Sequence, residues 1–119
     1  MRKYDLEDLL VKFAIIILEV CDLLPNTSAA NNLEYQLPKS GTAPALMYGE
    51  AQAAESRNDF IHKMKMLLKE LRETRISLRI INEKPVIQHE KIQTALKECN
   101  ELKGIFTKSV ETANKNKVR

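Results

Sequence analysis

Residues 56–82 read SRNDFIHKMKMLLKELRETRISLRIIN, and the fold class turns on how this stretch is read. Ser56 with Asp59 three residues later has the form of a capping box: the hydroxyl can accept from the Asp59 amide, and the acid suits the positive end of a helix. From there Phe60, Met64, Leu67, Leu71, Thr74 and Leu78 recur at helical spacing and fall in one stripe at 100° per residue. The spacing predicts a helix from the Ser56 cap to about Asn82, with Pro85 beyond it.

Working outward, the chain offers three more segments of the same period. Asp5 to Leu24 carries Leu6, Leu9, Leu10, Phe13, Ile16, Ile17, Val20, Cys21 and Leu24 on one stripe, and the turn signal Pro25-Asn26-Thr27 ends it. Val11, Ala14, Ile15 and Leu18 form a second, adjoining apolar face. A helix in an isolated bundle needs a stripe somewhat over about 100° wide, so the surplus predicts that Val11, Ile15 and Leu18 lie at a subunit contact. The alternative is that the segment from Pro38 to Pro44 folds over them within one chain. A helix from about Ser28 to Ala54 is expected to kink or open at Pro38, Gly41 and Pro44. A last helix from Ile87 to Ala113 has a single narrow stripe of Ile92, Ala95, Leu96, Cys99, Leu102, Phe106 and Val110. These four helices predict an all-α, antiparallel up-and-down four-helix bundle over residues 1–113, followed by a flexible basic tail at 114–119.

Length and composition agree with one such domain. The chain has 119 residues, 44% hydrophobic and 29% charged, with three glycines and no tryptophan. A net charge of +3, from 19 basic and 16 acidic residues, does not by itself mark a nucleic-acid binder. Cys21 and Cys99 lack metal-site spacing and read as buried thiols in a reducing compartment, hence a cytoplasmic location. No secretory leader is expected from the mixed charges of Met1 to Asp8. Phe13 to Leu18, bracketed by Lys12 and Glu19, falls far short of the ~20 residues a bilayer span needs, so no membrane association is expected.

Catalytic and metal chemistry find little to work with. His62 and His89 have no second His or Cys ligand at i+3 or i+4, and no phosphate-cradling glycine loop is present, so no metal, cofactor or catalytic residue is assigned and a non-enzymatic protein is expected. Charge is unevenly placed on the third helix. Lys65, Lys69, Arg72 and Arg79 lie within about 80° of arc, beside Asn58 and His62. Such a stripe can track RNA or DNA phosphates; it can also be an ordinary solvated face, since Glu73 and Glu83 stand at i+4 from Lys69 and Arg79. No aromatic is interleaved for base stacking. Arg75 falls beside the apolar stripe and needs a route to the surface or a carboxylate, for which Glu50 is a candidate.

Several blocks then carry a family resemblance: Asn32-Leu-Glu-Tyr-Gln-Leu37, Ser40-Gly-Thr42, Tyr48-Gly-Glu-Ala-Gln52, Glu55-Ser-Arg-Asn-Asp-Phe-Ile-His-Lys63 and Lys69-Glu-Leu-Arg-Glu-Thr-Arg75. From about Leu9 to Leu102 the chain resembles the four-helix bundle family named for proteins encoded in intervening sequences of bacterial 23S ribosomal RNA genes. Met47 and Gly49 stand where that family often has asparagine and arginine. The resemblance implies an antiparallel bundle that assembles as a homopentamer, a closed ring of five subunits. It also implies kinship in fold with the accessory variability protein of diversity-generating retroelements, which works with a reverse transcriptase and RNA through basic surface. Partners expected on this basis are the chain itself and either nucleic acid or a nucleic-acid-processing protein; a protein-only scaffold is the alternative.

Overall fold

The computed structural model describes residues 5–118. They form four helices, α1 (Leu6–Leu23), α2 (Ser28–Gln52), α3 (Arg57–Glu83) and α4 (Glu90–Val118), with no strand among the described residues. Short connections force successive helices to run antiparallel. α1 packs against α2 and α4, α3 packs against the same two, and α1 and α3 stand across the diagonal. This is the expected up-and-down four-helix bundle.

Local chemistry sets each helix start. Asp5, Thr27 and Ser56 each accept, through a side-chain oxygen, the amide of the residue three positions on (Asp8, Ala30 and Asp59) at 3.0–3.1 Å. At α4 the Nδ1 of His89 accepts from the Lys91 amide at 3.0 Å, so His89 closes a helix end. α4 begins later than the expected Ile87 and continues past Ala113 to Val118, so the segment read as a tail is helical there; Arg119 lies outside the described residues.

α2 departs most from the reading of its sequence. It is one continuous helix through Pro38, Gly41 and Pro44, none of which opens it. Gly41 marks a close crossing: a Cβ built there would stand 2.5 Å from Cγ2 of Ile17 on α1. The missing side chain thus admits a β-branched one from the facing helix. Most of what α2 buries is small, namely Ala30, Ser40, Gly41, Pro44 and Ala51, with Leu37 its one large buried side chain. The segment 38–44 therefore does not fold over Val11, Ile15 and Leu18; it faces Ile17 on the inner stripe of α1.

The core is filled by Leu10, Phe13, Ile17 and Val20 of α1, Leu67, Leu71 and Leu78 of α3, and Ile92, Cys99 and Phe106 of α4. Leu9, Ile16 and Phe60, read as core residues, are partly buried and pack at its rim. Tyr48 of α2 meets Phe106 edge to face, ring centres 5.9 Å apart, across the other diagonal. Polar contacts inside are few and satisfied. Thr74 Oγ1 donates to the Glu70 carbonyl at 2.8 Å and lies 3.0 Å from Ser40 Oγ, a hydroxyl pair joining α2 to α3. The Cys99 thiol donates to the Leu71 carbonyl at 3.3 Å.

Candidate interaction surfaces

The outward side of α1 bears Val11, Ile15 and Leu18, which are 42%, 49% and 45% exposed. Geometry explains this: they lie opposite Leu10, Phe13, Ile17 and Val20, and α1 has neighbours only on the core side. Exposed Glu7, Asp8 and Asp22 flank the patch, and Glu19 is held at 3.0 Å by Lys91 of α4. Lys12 is the only basic residue of α1.

Lys65, Lys69, Arg72 and Arg79 are all exposed, on the side of α3 turned away from Leu67, Leu71 and Leu78. Two are already engaged. Lys69 pairs with Glu73 at 3.6 Å and Arg79 with Glu83 at 2.6 Å, the i,i+4 arrangement that their spacing predicts. The Arg79 hydrogen bond and charge hold the Glu83 carboxyl below its usual range. Lys65 and Arg72 make no ion pair among the described residues. The same arc carries Ile76, and Ile80 lies about 20° beyond its edge; the sequence reading passes over both aliphatic side chains, which are 54% and 48% exposed. Plotting every residue at 100° per step, rather than the charges alone, places Ile76 between Lys65 and Lys69. Arg79, Glu83 and Lys84 join both isoleucines around a shallow depression.

Arg75 is half-buried, and Glu50 does not reach it: Glu50 takes Lys63 at 2.8 Å, raising the Lys63 pKa through that hydrogen bond. The rotation of α2 against α3, which the sequence does not encode locally, turns Glu50 toward the start of α3 instead. Outward on α2, Tyr35 and Leu46 are exposed as well.

Groups suited to chemistry are sparse. Burial pushes the thiols of Cys21 and Cys99 up to about 11, leaving both protonated and poorly nucleophilic at neutral pH. Burial, then the neighbouring Glu73, raises the Glu70 carboxyl, while Lys69 and Lys39 draw it back down. A shallow cleft between the start of α3 and the end of α4 is floored by Phe60, Ile105 and Ala113 and rimmed by Arg57 and Lys108. Among the described residues no group of three His, Cys, Asp or Glu side chains is placed to hold a metal, and no helix is long and apolar enough to cross a membrane.

The sequence profile of the 23S rRNA-intervening sequence proteins matches residues 3–108. The chain belongs to that family. A solved structure of similar fold is that of a protein with unknown function from the S23 ribosomal protein family of Bacteroides thetaiotaomicron VPI-5482. It is 27% identical, superposes with a TM-score of 0.80, and the match covers 87% of this chain and 96% of that one. No curated protein matches the chain. This member of the intervening-sequence protein family thus shares its fold with that solved structure.

Proposed function

We propose that the protein is a non-catalytic, self-associating helical bundle that acts by docking protein surfaces. The observation that carries this reading is the half-exposed Val11, Ile15 and Leu18 patch on α1. Fully burying a large aliphatic side chain contributes about 1.5–3 kcal/mol, so half-exposed ones retain roughly half of that for a partner to recover. A homopentamer, as the family resemblance implies, is the expected assembly. Two buried, unlinked thiols support a reducing compartment, the cytoplasm.

Light scattering on the wild-type protein and on Ile15→Asp and Leu18→Asp tests the proposal. An assembly larger than one chain, converted to a folded monomer by either change with helical circular dichroism retained, is the expected result. A monomeric wild type at micromolar concentration refutes self-association.

A second reading, binding of RNA or DNA along α3, draws on the four exposed cations Lys65, Lys69, Arg72 and Arg79. Against it stand the carboxylates of Glu73 and Glu83, already paired with two of the cations, and the isoleucines within and beside the arc. Gel shifts at rising salt separate the readings: phosphate binding weakens steeply between low and physiological salt, while protein-only docking gives no shift.

A further inference from the structure

We infer that the cationic, isoleucine-bearing face of α3 is the socket that receives the acidic, aliphatic face of α1 from a second copy of this chain. The inference rests on the self-association reading above and supplies the second surface that such a contact needs. α1 and α3 stand on opposite corners of the bundle, so their outward faces point apart. One copy cannot cover its own α1 patch with its own α3 face.

The two faces match in length and oppose in charge. On α1, Val11, Ile15 and Leu18 span about 60° of arc, and Glu7, Asp8 and Asp22 lie inside that arc or within about 20° of it. On α3, Lys65, Lys69 and Arg72 lie within about 40° of Ile76. From Glu7 to Asp22 and from Lys65 to Ile80 the helix axis advances the same distance, about 22 Å. The depression at Ile76 and Ile80 offers a seat for an aliphatic side chain.

Charge then selects among the possible pairings. An α1–α1 contact would set Glu7, Asp8 and Asp22 against their own copies, and an α3–α3 contact would oppose Lys65 and Arg72 to theirs. Of these three pairings, α1 on α3 alone joins aliphatic to aliphatic while giving the unpaired cations carboxylates to meet. Lys12 is the one α1 charge of the wrong sign, and Glu73 and Glu83 on α3 are already held by Lys69 and Arg79. Such a contact is heterologous: each copy uses one face toward each neighbour, which generates a ring when the rotation closes.

Two folded variants, each with one face spoiled, test the inference by mixing. Ile15→Asp removes the plug and Ile76→Asp the socket, and each alone is expected to be monomeric by light scattering with its helical signal intact. Mixed in equal amounts at high concentration, they are expected to form a species of two chains and nothing larger, because only one good plug and one good socket remain. If Ile76→Asp assembles like wild type, or the mixture stays monomeric, the α3 socket is overturned, while loss of assembly in Ile15→Asp alone still leaves self-association standing. A monomeric wild type removes both. Should Ile76→Asp fail to fold, the exposed pair Lys65→Glu and Arg72→Glu serves instead: an assembly weakened about tenfold or more at low salt is expected, and unchanged assembly overturns the socket.

Discussion

The two sides of α3 share one backbone and differ in almost everything else. Its inward side sets Leu67, Leu71, Thr74 and Leu78 into the core with no exposure. Its outward side sets Lys65, Arg72, Ile76 and Ile80 into solvent. Fold stability is concentrated on the first side, where the side chains are out of water, and surface pairs such as Lys69 with Glu73 add only about 0–1 kcal/mol. The outward side is therefore free to be shaped by whatever the protein meets. The same division holds for α1, between Phe13, Ile17 and Val20 on one side and Val11, Ile15 and Leu18 on the other.

Replacing Leu71 by Ala puts this division to its hardest test. Denaturant unfolding should show a loss of about 2–5 kcal/mol; a loss near zero would mean that the inward side is not where α3 earns its stability. Gly41→Ala probes the same interior from α2, where the added Cβ meets Ile17. It should cost about 1–3 kcal/mol, and less in an Ile17→Ala background, where the Cγ1 and Cγ2 atoms that stand nearest the added Cβ are gone. Thr74→Val deletes one buried hydroxyl while keeping the side-chain shape and should cost about 1 kcal/mol, less in a Ser40→Ala background, where the partner is already gone.

Glu70, at the border between the two sides, should give the smallest effect. Its folded-state pKa is raised, chiefly by burial, so its contribution is fully present below the ordinary carboxylate value and is lost as pH rises through the folded one. Glu70→Gln should therefore stabilise by at most about 0.5 kcal/mol at pH 7 and by nothing at pH 3. A gain that persists in acid would assign the effect to packing rather than charge.

The sequence reading succeeds where the information is local. The Ser56 cap and the stripe from Met64 to Leu78 need only helical spacing and a hydroxyl, and the i,i+4 partners of Lys69 and Arg79 follow from the same geometry. It fails where the deciding atom sits on another helix. Gly41 reads as a weak point until Ile17 is seen filling the space beside it. Glu50 is assigned to Arg75 because nothing in the local pattern fixes how α2 is rotated against α3. Ile76 and Ile80 are different: their angles place one within the cationic arc and the other at its edge, and attention to charge alone concealed them.

The run of small and ring-locked residues in α2 bears on the order of folding. Two prolines at about 3 kcal/mol each and two glycines at about 1 kcal/mol each, relative to alanine, leave this segment little tendency to coil on its own. The segments of α1, α3 and α4 carry no such load apart from Gly104. We expect α2 to become helical only as it settles onto surfaces its neighbours have already formed. In stopped-flow measurements Leu37→Ala should then speed unfolding and leave the folding rate nearly unchanged, whereas Leu71→Ala should slow folding. Equal slowing by both would mean that α2 is already in place at the barrier. On this account the helix that comes second along the chain is the last to form.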